Sequence, residues 1–179
     1  GLEDYENAIN HYQMLIGDKD WDQWAKVKIA NVHIAKGNSD YAVDEFTQST
    51  KDQNKDSEYH YRLGYLYYES QKFDEAITEF IRAIELSDNN EDKANNNYWV
   101  GYVYKEMGMI DDAIEYFENS LALNPETPGP LWHVYKAYKS IGKYESAYKI
   151  IERLKIVDPE NSHIDIEYDL MAKKIGKKE

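Results

Sequence analysis

Five histidines, 34 acidic residues and no cysteine are the side chains from which this 179-residue chain could build chemistry. The histidines, His11, His33, His60, His133 and His163, never stand three or four apart, so no helical turn offers a paired ligand. Asp18, Asp20 and Asp22 in "DKDWD" alternate as the first carboxylates of a calcium loop do. The sixth place of that loop needs a glycine and holds Gln23; the twelfth needs a bidentate glutamate and holds Ile29. The segment therefore reads as an inter-helix loop, and no metal is expected. The acidic pairs Asp74–Glu75 and Asp111–Asp112 open predicted helices, where carboxylates favour the positive end of the helix dipole. No glycine-rich phosphate loop, HExxH, GxSxG or dinucleotide fingerprint occurs. Without cysteine there is neither a disulfide nor a thiolate nucleophile. The expectation is a chain that is not an enzyme and needs no cofactor.

Charge and hydropathy narrow the partners. A net charge of −13 repels phosphate backbones, so nucleic acid is not expected as a ligand. Mean hydropathy is −0.81, and no apolar run approaches the roughly 18–20 residues of a membrane-spanning helix. Nothing fixes the compartment; the cytoplasm is the default.

The elements that must position any site announce themselves by repetition. Ala8, Ala42, Ala76, Ala113 and Ala147 recur in "ENAI", "DYAVDEF", "DEAITEF", "DDAIEYF" and "ESAYKII", at separations of 34, 34, 37 and 34. A large apolar residue stands four after each: Tyr12, Phe46, Phe80, Phe117 and Ile151. Twelve before them stand Ala30, Gly64, Gly101 and Tyr135. Gly101, inside the helical pattern "YWVGYVYKEMG", costs about 1 kcal/mol relative to alanine and needs a reason. Two antiparallel helices turning at Met109–Ile110 would bring Gly101 against Ala113 and Phe117, where a missing side chain lets the backbones approach. Tyr135 departs from this rule; its hairpin should be splayed, or Tyr135 should turn out of the seam.

This periodicity resembles the tetratricopeptide repeat. The family's small, aromatic and proline places are met by Val100, Gly101, Tyr104, Ala113, Phe117, Ser120 and Pro125 in one repeat. Leu63, Gly64, Tyr67, Ala76, Phe80 and Ala83 meet them in the repeat before. Ile29, Ala30, Ala42 and Phe46 match in an earlier one, with His33 in place of the tyrosine. Leu131, Val134, Tyr138, Ala147, Ile151 and Pro159 match in a later one. The resemblance implies an all-α, right-handed solenoid of antiparallel helix pairs over 1–179. Its parts would be half a repeat at 1–22, repeats at 23–56, 57–93, 94–127 and 128–161, and a capping helix at 162–176. Helices are expected at about 3–16, 23–36, 40–54, 57–71, 73–87, 94–107, 111–123, 128–141 and 144–157. The loop "SDNNEDK" should absorb the three extra residues, and the charged tail should fray. Starting at an unpaired half repeat, the chain reads as a piece of a longer protein.

Counting each repeat from Gln23, Ser57, Ala94 and Pro128, the resemblance implies that places 2, 5, 9, 12 and 13 line a concave groove. These spacings share one helical face. The groove candidates are Trp24, Val27, Asn31, Tyr61, Tyr65, Tyr68, Tyr98, Tyr102, Lys105, Trp132, Lys136 and Lys139, with Trp99 and His133 on the border. Tyr67, Tyr104 and Tyr138 are assigned to the core. A tyrosine or tryptophan with an apolar face and a polar tip suits an interface anchor. The same rings could instead stack on one another and close the groove. Lys105, Lys136 and Lys139 gather toward the C-terminal side, suited to a carboxylate of a bound segment. The chaperone-tail clamp of some relatives is not expected, because only Asn31 matches it. The resemblance thus implies a scaffold that holds a protein or peptide segment with apolar or aromatic anchors and an acidic residue. Two alternatives stand beside it. One is self-assembly into homo-oligomers through the unpaired stripe Ala8, Tyr12, Leu15 and Ile16. The other is a recognition arm of a larger enzyme.

Overall fold

A computed structural model describes residues 2–50 and 56–177, and all regular structure among them is helical. By its contacts the chain divides after Leu86 into two compact units. The first holds α1 (Leu2–Gln13), α2 (Asp22–Ala35), α3 (Ser39–Ser49), α4 (Ser57–Glu69) and α5 (Phe73–Leu86). The second holds α6 (Asn90–Glu106), α7 (Ile110–Leu123), α8 (Pro128–Ser140), α9 (Tyr144–Val157) and α10 (Ser162–Lys174). The pairs α2/α3, α4/α5, α6/α7 and α8/α9 are hairpins; α1 packs on α2, and α10 on α9.

The glycine in "YWVGYVYKEMG" has the reason its cost demands. A Cβ on Gly101 would lie 2.8 Å from Cδ1 of Phe117 and 3.0 Å from the carbonyl oxygen of Ala113. Gly64 stands likewise against Phe80, at 2.9 Å. Ala113, Phe117, Ala76 and Phe80 are all fully buried. The small residue and the aromatic are thus two halves of one contact, and burying each Phe contributes about 1.5–3 kcal/mol.

The first helix of each pair ends in one motif. At α6, the Gly108 N–H donates to the Lys105 carbonyl (3.0 Å) and the Met109 N–H to that of Tyr104 (2.9 Å), with Gly108 at φ +79°. This left-handed cap satisfies carbonyls the helix leaves open. At α4 the same bonds form around Gln71, at φ +61°, where a side chain is disfavoured.

Three expectations need correction or completion. The "SDNNEDK" segment is only partly a loop: α6 begins at Asn90, because the Asn89 side chain caps it by accepting from the Asp92 N–H at 2.8 Å. Tyr135 keeps its ring buried but sends its hydroxyl to Glu167 on α10. The stripe Ala8, Tyr12, Leu15 and Ile16 is bare only at Ile16, which is exposed; Ala8, Tyr12 and Leu15 are half-buried, and the Tyr12 ring meets Trp24 of α2 edge-on at 5.5 Å. On α10, Ile164 and Met171 are buried, and Tyr168 and the following Ile175 pack against the same core. The expected continuation of α3 to 54 falls outside the described residues, as do the last two residues of the tail 173–179 expected to fray.

The acidic "DKDWD" loop spends its carboxylates on its own turn. Asp18 accepts from the N–H groups of Asp20 (2.9 Å) and Trp21 (3.2 Å), and Asp22 from that of Gly17 (2.8 Å).

Candidate functional site

The candidate residues form two groups, one in each unit. In the first unit Trp24, Val27 and Asn31 of α2 and Tyr61 and Tyr65 of α4 line one cleft of about 150 Å³. Val27 is only 7 % exposed and belongs to the core beneath, so it supplies floor rather than a contact surface. Its place follows a helical stripe that borders the seam, and an aliphatic side chain there turns inward. Tyr68 stands apart from the cleft, its ring 6.2 Å from Phe73 and 6.5 Å from Tyr65.

Two further residues, Lys28 and Arg62, complete the cleft. Both stand at place 6 of their repeats, as do Trp99 and His133 in the second unit. Place 6 adjoins place 5 and lies three from place 9, so it shares their rim. Following that place alone through the four repeats would have found them.

In the second unit α6 and α8 bring Tyr98, Trp99, Tyr102 and His133 into one ring cluster. Tyr98 lies 5.7 Å from His133 and 6.1 Å from both Trp99 and Tyr102; Tyr102 meets His133 edge-on at 5.4 Å. Phe117, the partner of Gly101, stacks on His133 at 5.2 Å, so the core braces the cluster from beneath. All four rings are partly exposed. The Lys105 ammonium sits 4.0 Å above the Tyr102 ring and pairs with Glu106 at 2.8 Å. Lys136 lies 5.2 Å from the Trp132 ring and makes no ion pair among the described residues.

His133 is the most perturbed group of this face. Burial, then the charges of Lys105 and Lys136, push its pKa from 6.5 to about 4, against a small opposing effect of Glu106. At neutral pH the ring is uncharged and serves as an aromatic surface.

Lys139 and Trp132 are drawn elsewhere than expected. Lys139 pairs with Glu167 of α10 at 2.6 Å, on the same carboxylate oxygen that receives the Tyr135 hydroxyl. Trp132 stacks on Tyr135 at 5.3 Å and faces His163 of α10 at 5.4 Å. Lys139 is therefore no free cation for a ligand. Glu167 lies 28 residues away on α10, where no repeat place foretells it.

Tyr67, Tyr104 and Tyr138 are at the core's edge rather than inside it. Tyr104 stacks on Tyr116 at 5.5 Å, and the Tyr138 hydroxyl donates to Glu118. His33, at the place where the tyrosine is usual, is half-buried beside Tyr41.

Residues 56–126 match the family model described as tetratricopeptide repeat. Residues 56–126 thus carry tetratricopeptide repeats. Solved structures of other repeat proteins share the fold over most of the chain's length. A structure titled for MamA has 22 % identity, a TM-score of 0.66, and covers 90 % of this chain and 92 % of its own. PilF of Pseudomonas aeruginosa has 18 % identity and a TM-score of 0.72, covering 98 % of this chain and 78 % of its own. YrrB, described as a TPR protein with an unusual peptide-binding site, has 20 % identity and a TM-score of 0.62, covering 97 % and 85 %. No curated protein sequence matches the chain. Among the described residues no helix is long and apolar enough to cross a membrane.

Proposed function

We propose that this chain is a protein–protein interaction module, and that the α6/α8 face of its second unit holds a segment of a partner polypeptide. The observation that carries this reading is the braced ring cluster of Tyr98, Trp99, Tyr102 and His133, flanked by Lys105 and Lys136. Rings already held in place lose little freedom when a partner arrives, and Tyr and Trp dominate interface energetics. The likeness to YrrB, which is described as binding peptide, supports the class of ligand.

The cations set the partner's charge. The Lys105–Glu106 pair is partly exposed and contributes little, so an incoming carboxylate competes for Lys105 at low cost and finds Lys136 unpaired. The partner segment is thus apolar or aromatic with an acidic residue beside the anchors. That carboxylate also favours the protonated form of His133, against the burial and lysine charges that hold its pKa at about 4.

Peptides selected from a displayed random library against the full chain, then titrated against single variants, test the reading. Tyr102→Ala is expected to weaken binding about 10–100-fold, with a smaller loss for Trp132→Ala. Unchanged affinity in both removes the assignment to this face.

A further inference from the structure

The loop between α1 and α2 displays apolar side chains to solvent. Among the described residues nine large hydrophobic side chains are exposed, and three of them stand in segment 14–21: Met14 (83 %), Ile16 (42 %) and Trp21 (52 %). Exposed apolar groups gathered in one short segment mark an interaction surface more than scattered ones do. Of the nine, only Trp21 and Tyr41 are aromatic. The Tyr41 ring is engaged by His33 at 4.7 Å, and the carboxylate beside it, Asp40, is tied to Lys72. Trp21 stands between Asp20 and Asp22. Asp22 pairs with Lys26 at 2.7 Å, whereas the Asp20 carboxylate makes no bond among the described residues.

Trp21 is also held in place. The Asp18 carboxylate accepts from the N–H groups of Asp20 and Trp21, that of Asp22 accepts from the Gly17 N–H, and the Trp21 ring rests edge-on against Trp24 at 5.7 Å. The loop thus presents a fixed indole with an unpaired carboxylate next to it, a pre-organised group that loses little freedom on binding. The α6/α8 face has the matching chemistry. Its rings Tyr98, Trp99, Tyr102 and His133 offer flat apolar surface to an indole, and Lys105 and the unpaired Lys136 offer positive charge to a neighbouring carboxylate. Segment 17–22 carries three carboxylates against Lys19 alone, so opposite charges meet there.

We propose that the polypeptide held on the α6/α8 face is the α1–α2 loop of a second copy of this chain, with Trp21 among the rings and Asp20 beside Lys105 and Lys136. The proposal rests on the reading of that face as a binding surface and adds its occupant. Loop and face are different surfaces, so the contact is heterologous: each joined pair keeps one unused loop and one unused face, and copies add in chains or rings.

Sedimentation velocity on the full chain tests this. A loop-on-face contact belongs to the small, weak class of interfaces, so the range runs from about 1 µM to 1 mM, over which the average mass should rise beyond that of a dimer. Trp21→Ala strips the loop and Tyr102→Ala strips the face; each alone should weaken association at least about tenfold. Mixed in equal amounts, the two variants should form a heterodimer and nothing larger, because one keeps an intact face and the other an intact loop. Asp20→Lys, at an exposed position, should keep the native melting curve and still weaken association, which separates lost docking from lost folding. A full chain that stays monomeric throughout overturns the proposal. So does association that survives Trp21→Ala, Asp20→Lys or Tyr102→Ala, or a mixture no more associated than its components. If the chain stays monomeric while library-selected peptides still bind in a Tyr102-dependent way, the second copy is lost as occupant and the face stands. If those peptides bind regardless of Tyr102 and Trp132, the face is lost and the proposal with it.

Discussion

Gly101 and Phe117 are the smallest unit from which the molecule can be understood. A methyl group at Gly101 would improve helix propensity by about 1 kcal/mol but collide with a buried ring at 2.8 Å and a backbone oxygen at 3.0 Å. Overpacking of this kind costs about 1–3 kcal/mol. Gly101→Ala is therefore expected to lower stability in chemical denaturation, and Phe117→Leu in the same chain should recover part of the loss. Gln71 makes the opposite case. It holds φ +61° at the cap where α2, α6 and α8 are followed by glycine, so Gln71→Gly should raise stability by about 0.5–1 kcal/mol. The glycine–alanine–phenylalanine contact was legible in the sequence because one local clash dictates all three residues. Lys28 and Arg62 were passed over as groove candidates although they hold place 6 of their repeats, the place that Trp99 and His133 hold in the second unit.

At the scale of helices, α10 decides how the second unit's face ends. Burial pushes the Glu167 pKa up, but the hydrogen bonds from Lys139 and Tyr135 outweigh it and hold the carboxyl below its ordinary value. A depressed carboxyl stabilises the fold above its unfolded pKa, and that contribution is lost as pH falls through the folded one. The melting temperature of the native chain should therefore drop more steeply below about pH 4.5 than that of Glu167→Gln. Equal slopes would show that the tie does not hold α10. At the other end of the unit, Asn89→Ala should cost about 1 kcal/mol by uncapping α6. Helix positions were legible from period and breakers. The extra turn of α6 was not, because polar "NNEDK" reads as loop until Asn89 is seen to cap it. Nor was the diversion of Lys139, which depends on a carboxylate that α10 supplies from outside the repeat pattern.

At the scale of the whole chain, 34 acidic residues outnumber 21 basic ones, while Lys105 and Lys136 stand among the rings of the α6/α8 face. An acidic partner is repelled by most of the surface and attracted there, so its affinity should fall as salt rises only while both lysines are present. The most direct measurement is NMR mapping on the isotope-labelled full chain, titrated with an acidic, aromatic peptide selected against it. Shifts should concentrate at Tyr98, Trp99, Tyr102, His133 and Lys136, with the His133 ring titrating near pH 4 when free and higher when bound. Shifts confined to the α7 and α9 surfaces, with His133 unmoved, would contradict the account.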